Sequence, residues 1–176
     1  MDLLLLGGNS AHNKDWINSV SKTLVKSFNK RLTHSYIHWG AGEGNIDIKE
    51  ELKNISAEIS NFNEYVVFAK SVGTIVAARG VYENILHPQK CIFVGLPMLM
   101  INKDKSTIST YLKSIKKPIL FIQNNNDPFG SIDEVKVYLK SLNLHDSTVI
   151  ESDGDTHNYN ELNKLNEEIS KFLDSK

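Results

Sequence analysis

Apolar positions along the chain follow two alternating rhythms. Short unbroken runs occupy residues 3–6, 65–69, 91–94 and 119–122, weaker ones occupy 36–39, which carries His38, and 148–150, and between them apolar residues recur every three or four positions. Unbroken runs of this length suit strands buried on both faces, whereas the longer spacing suits amphipathic helices. Trp16, Val20, Leu24 and Phe28 mark a first helix, and Ile48, Leu52, Ile55, Ile59 and Phe62 a second. A small-residue helix follows Ser71, a weaker one centres on residues 108–115, and Leu162, Leu165, Ile169 and Phe172 make the last. Ser131-Ile132-Asp133-Glu134 reads as a capping box that opens the helix carrying Val135, Leu139 and Leu142. Strict alternation of this kind predicts an α/β fold: a parallel sheet of six strands in the order 2-1-3-4-5-6, with helices on both faces.

The chemistry concentrates where predicted strands end. The run Tyr65-Val66-Val67-Phe68-Ala69 leads through Lys70 into Ser71, and Val72-Gly73 begins a small-residue helix at once. A sharp strand-to-helix turn would lift the serine hydroxyl above the sheet edge and leave the Val72 N–H facing a developing oxyanion. Asp127 follows the fifth predicted strand and His157 the sixth, so the order along the chain is Ser, Asp, His. In a parallel sheet the C-terminal strand ends share one edge, where ligands bind. Gly7-Gly8-Asn9-Ser10 closes the first strand on that edge, which makes the Asn9 N–H the preferred second oxyanion donor and Ser10 the next choice. Plainer readings stay open: Ser71 as a helix N-cap, Gly7-Gly8 as a simple turn, Asp127 as a turn cap with Asp104 or Asp153 as the acid. Cys91, within a strand core, reads as packing. Of the remaining histidines, His34, His87 and His145 read as ordinary polar residues, and His12 and His38 as candidates for the pocket rim.

Length and charge narrow the class. The chain has 176 residues, a formal net charge of −1 and a single cysteine. That is enough for one domain over residues 1–176, gives no electrostatic support for a nucleic-acid or anionic-membrane partner, and forbids an internal disulfide. The apolar start lacks a basic flank and is too short for an anchor, so a cytoplasmic protein is expected. Gly40-Ala41-Gly42-Glu43-Gly44 breaks the dinucleotide-loop spacing and places an acid where a pyrophosphate would sit, and no Gly-rich cradle precedes Ser71. No metal-ligand spacing is visible. No cofactor is therefore expected.

These motifs resemble the α/β-hydrolase superfamily, and in particular the small lidless esterases similar to dienelactone hydrolase. The resemblance rests on Gly7-Gly8-Asn9, Ala69-Lys70-Ser71-Val72-Gly73, Gly95-Leu96-Pro97, Asn126-Asp127-Pro128-Phe129-Gly130 and Thr156-His157-Asn158-Tyr159. Two departures stand out: Ala69 where the elbow normally opens with glycine, and Gly7-Gly8 where a histidine-glycine pair is common. The resemblance implies Ser71 as nucleophile, Asp127 as orienting acid and His157 as base, acting on a small acyl ester or thioester. Residues 95–117 leave no room for a cap domain, so an open cleft is expected, with Met98 either an acyl wall or packed beneath the crossover, and Phe129 on the rim. A hydrolase-fold protein that has lost catalysis and serves in binding is the alternative, and a flavodoxin-like binding domain is a weaker one.

Overall fold

In the computed structural model, residues 1–24, 28–41, 44–144 and 146–175 are described. The chain runs β1 (Asp2–Leu6), α1 (Asn13–Thr23), β2 (Arg31–Thr33), α2 (Ile37–Ala41), α3 (Ile48–Glu58), β3 (Tyr65–Lys70) and α4 (Val72–Tyr82). It continues with β4 (Lys90–Val94), α5 (Met98–Ile101), α6 (Lys105–Ser114), β5 (Ile119–Asn124), α7 (Ile132–Leu142), β6 (Ser147–Ser152) and α8 (Leu162–Asp174). All six strands pair in parallel in the order β2-β1-β3-β4-β5-β6.

The double-sided burial that the apolar runs demanded is met by alternation along each strand. Leu4, Leu6, Val67, Ala69, Cys91, Phe93, Ile119 and Phe121 point to one core with Leu52, Ile55, Leu112, Val135 and Leu139. Leu3, Leu5, Val66, Phe68, Ile92, Val94, Leu120 and Ile122 point to the other, closed by Ile17 and Val20 of α1 and by Leu165 and Ile169 of α8. Helix ends are set by local chemistry. Asp47 accepts from the Lys49 and Glu50 N–H groups ahead of α3, and Ser131 with Glu134 forms a reciprocal capping box on α7.

Two expectations need correction. The second strand is Arg31–Thr33, not Tyr36-Ile37-His38-Trp39. Tyr36 and Trp39 are buried because the run turns into α2 and packs over the end of β1, where the Tyr36 hydroxyl donates to the Gly7 carbonyl at 3.1 Å. The strand itself is half exposed at the sheet edge and so carries little apolar signal. The connection after β4 also holds a short helix, α5, ahead of the expected one. Gly42, Glu43 and His145, which the sequence reading considered, lie outside the described residues.

Candidate active site

Strand register brings the functional segments to one edge. Ala69 pairs with Leu6 and Phe93, and the Ser71 N–H donates to the Val94 carbonyl at 3.0 Å, so β3 ends level with its neighbours. Ser71 sits at the N-cap of α4 with φ 54° and ψ −124°, a backbone region that a side chain normally avoids. Its hydroxyl makes no capping hydrogen bond. The turn is tight because Gly73 lets α4 approach β1: a Cβ there would stand 2.6 Å from the Gly7 carbonyl oxygen and 2.7 Å from that of Leu6. Ala69 does not have positive φ, so a glycine is not conformationally required at that position.

Asp127 and His157 arrive on two braced loops. Gln123 at the end of β5 accepts from the Leu96 N–H at 2.7 Å and donates to the Gly130 carbonyl at 2.6 Å. Asn124, the last residue of β5, donates to the Thr156 carbonyl at 2.8 Å, tying the loop after β6 to the end of that strand. Buried Asp127 accepts from His157 Nδ1 at 2.7 Å, from the Tyr159 hydroxyl at 2.7 Å and from the Phe129 N–H at 2.8 Å. Burial, foremost, raises the Tyr159 phenol pKa, so its O–H stays a donor to the carboxylate. Gly95, with φ 65°, makes room for the pair: a Cβ there would meet Tyr159 at 2.8 Å and His157 at 3.0 Å. Since the carboxylate only accepts, the neutral imidazole carries its proton on Nδ1 and leaves Nε2 with a free lone pair. Nε2 has no hydrogen-bond partner among the described residues, so Ser71 Oγ is not bonded to it in this conformation. Of the three acids weighed, Asp127 is the one on the imidazole. Asp104 is exposed at the start of α6, and Asp153 accepts from Asn125.

Ser71, His157, Asn9, Ser10, Val72 and Phe129 line one cleft of about 750 Å³. The N–H groups of Asn9, Ser10 and Val72 have no acceptor among the described residues. From Ser71 the cleft follows α4 past Ile75 to Arg79, with Ile46, Ile48, Ile108 and Tyr111 along it. The phenyl ring of Phe129 lies 4.4 Å from the imidazole, centroid to centroid, and is 41% exposed.

Residues 42–175 match the family described as alpha/beta hydrolase domain. The chain belongs to the α/β hydrolases. No curated protein sequence matches it significantly. Among solved structures it is similar to an α/β serine hydrolase homologue from Coxiella burnetii, at 15% identity and TM-score 0.78, covering 98% of this chain and 85% of that one. It is also similar to the esterase Pf2001 of Pyrococcus furiosus, at 18% identity and TM-score 0.75, covering 98% and 79%. A lidless α/β serine hydrolase from Xanthomonas campestris matches at 17% identity and TM-score 0.73, covering 99% and 83%.

Several residues of this α/β hydrolase lie elsewhere than expected, or were not singled out at all. Met98 is buried under Gly130 in the sheet core and does not line the cleft, because α5 turns it inward; Met100, two residues on, reaches the cleft instead. His12 is exposed at the start of α1, and His38 holds the Asn9 carbonyl through Nε2 at 2.6 Å. Lys70, next to Ser71, is buried, with its ammonium 5.0 Å from the Trp16 ring centroid and 2.8 Å from Asn13 Oδ1. Asn13 in turn donates to the Ser10 carbonyl at 3.0 Å. Burial lowers the Lys70 pKa to about 8, against the opposing pull of the Asp127 charge. Cys91 is buried in β4 with its thiol pKa pushed up to about 12, which makes it a packing residue. A second hollow, of about 530 Å³, is lined by β6, α8 and the loop between them and contains neither Ser71 nor His157. Among the described residues, no cluster of histidine, cysteine and acids could hold a metal ion, and no helix is long and apolar enough to cross a membrane.

Proposed function

We propose that this chain is a serine hydrolase that cleaves a carboxylic ester or thioester of a small acyl substrate through an acyl-serine intermediate. The observation that carries the reading is Ser71 itself. It is held at positive φ, its hydroxyl is not spent on capping, and it opens into the same cleft as an imidazole backed by a buried carboxylate.

The chemistry follows from those positions. A rotation of the Ser71 side chain toward His157 Nε2 supplies the one contact that the resting geometry lacks. Nε2 then takes the hydroxyl proton as Oγ bonds to the acyl carbon. Asp127 keeps the imidazole in the useful tautomer and stabilises the imidazolium. The carbonyl oxygen, now negative, is received by the N–H groups of Val72 and Asn9, with Ser10 beside them. His157 returns its proton to the leaving alcohol or thiol. A water molecule then repeats the sequence on the acyl-enzyme, releasing the acid and restoring Ser71. All these groups come from the chain, so no cofactor enters. The structural neighbours described as esterases favour this reading over a binding protein that has lost catalysis.

A fluorophosphonate probe and a panel of chromogenic acyl esters test it. The wild type should be labelled and should turn over, and Ser71→Ala should lose labelling and about 10⁴- to 10⁶-fold in rate while keeping its fold. An alanine variant that retains more than a few per cent of the rate would show that Ser71 is not the nucleophile.

A further inference from the structure

The loop that carries Asn9 is poorly suited to hold an oxyanion donor by itself. Gly7 and Gly8 precede Asn9, and glycine adopts many backbone conformations at little cost. A donor stabilises a transition state best when its direction is set before the reaction, since reorienting it during the reaction consumes the gain. Something outside the loop must therefore set it.

The structure supplies such a constraint from the segment that enters and forms α2. The Tyr36 hydroxyl donates to the Gly7 carbonyl at 3.1 Å. His38 Nε2 and Trp39 Nε1 both donate to the Asn9 carbonyl, at 2.6 Å and 3.0 Å, which occupies both of its lone pairs. The Asn9 side-chain oxygen accepts from the Ile46 N–H at 3.3 Å. The peptide units after Gly7 and after Asn9 are thus both anchored. The unit between them contains the Asn9 N–H, which has no acceptor among the described residues, and its direction is imposed from either side.

The three aromatic residues are themselves fixed. Tyr36 stacks on His38 at 5.7 Å and meets Trp39 edge-on at 4.9 Å. The Ile37 N–H donates to Glu51 Oε1 at 2.8 Å, while Glu51 Oε2 contacts buried His34 Nε2 at 2.9 Å. His34 Nδ1 in turn meets Glu58 at 2.7 Å, so α2 is tied to α3 through an internal polar chain. His38 gives up satisfaction to hold Asn9. With its proton on Nε2, its buried Nδ1 is left without a partner among the described residues. A buried acceptor without a partner is unfavourable, so the ring orientation is set by the Asn9 contact.

We propose that Tyr36, His38 and Trp39 are positioning residues for the oxyanion hole, acting on the Asn9 N–H through the carbonyls of Gly7 and Asn9. This rests on the hydrolase reading above and deepens it.

The test compares wild type with Tyr36→Phe, His38→Leu and His38→Gln, on a short chromogenic ester and on a trifluoromethyl ketone, whose adduct with serine carries the same oxyanion. Tyr36→Phe and His38→Leu should each lower kcat by about ten- to a hundredfold with KM within about threefold, and weaken the ketone in proportion. His38→Gln, which can again present an N–H to Asn9, should recover most of the loss. Tyr36→Phe removes a single oxygen and carries the test if His38→Leu fails to fold. An unchanged kcat, or a fall in kcat without weaker ketone binding, overturns the proposal. If the wild type neither turns over nor takes the fluorophosphonate label, the hydrolase reading fails and takes this one with it. If the wild type is active and the variants match it, only the positioning role fails.

Discussion

Lys70 shows how a single side chain can work against the fold that contains it. Its ammonium is buried beside Trp16 and Asn13, and that burial lowers its pKa from 10.5 to about 8. Between those two values the unfolded chain binds more protons at this position than the folded chain. The lysine therefore makes stability rise with pH across that window, and below about 8 its full penalty is present. Urea unfolding of wild type and Lys70→Met should show the wild type gaining on the variant as pH rises from 8 toward 10.5. A difference that stays flat over that range would mean the lysine is not titrating as its surroundings dictate. Gly73 gives a sharper case. A methyl there meets two backbone oxygens, which cannot move aside as a side chain would, so Gly73→Ala should cost about 1–3 kcal/mol, as overpacking does. Because the displaced element is α4, its activity should fall by more than the unfolded fraction explains.

Among the elements, α4 does the most to shape the cleft. Ser71, Ile75 and Arg79 lie four residues apart, so they follow one side of the helix over about 12 Å. One turn along α4 from Ser71 the cleft wall is apolar Ile75, and two turns on stands Arg79, which is paired with Glu83. An acyl chain gains from burial until it reaches those charges and little beyond them. Ile75→Trp should leave acetyl esters turning over at a similar rate and reduce hexanoyl esters by about tenfold or more. Equal losses on both would place the acyl chain elsewhere. How much of this was legible in the sequence depended on whether an element's burial comes from its own period or from distant partners. The runs at Leu3 and Tyr65 are central strands covered on both faces, so their apolar continuity announced them. The edge strand Arg31–Thr33 lacks that signature, and the aromatic residues after it carry a strand-like signal for tertiary reasons. Ser71 and Asp127 follow fully buried strands whose apolar runs announce them, whereas His157 follows the edge strand β6, whose signal is weaker. Met98 was misplaced because α5, at four residues, is too short to display a helical period. The contacts of Asn9 with His38 and Trp39 span 29 and 30 residues, and no spacing rule encodes them.

For the molecule as a whole, the site exists only when the sheet is complete, since its parts follow β1, β3, β5 and β6. The Trp16 indole N–H donates to the Tyr159 carbonyl at 2.9 Å, linking the first helix to the loop that carries His157. Activity and far-ultraviolet circular dichroism should therefore be lost together in a denaturant titration, and activity lost well before secondary structure would point to separate units. The connection from β4 to β5 holds only two helices and inserts no cap over Ser71, so turnover should rise smoothly as a substrate passes its micelle concentration. A jump in rate there would reveal a moving cover. The strained backbone of Ser71 has a consequence of another kind. Glycine at this position would relax a conformation that costs about 1–3 kcal/mol, offset in part by its greater freedom in the unfolded chain. Ser71→Gly should then melt about 2–4 °C above wild type, while Ser71→Ala, which keeps its Cβ, should not. A redesign of this chain judged by folding energy alone would thus select glycine at position 71, and its first improvement would be to erase the proposed nucleophile.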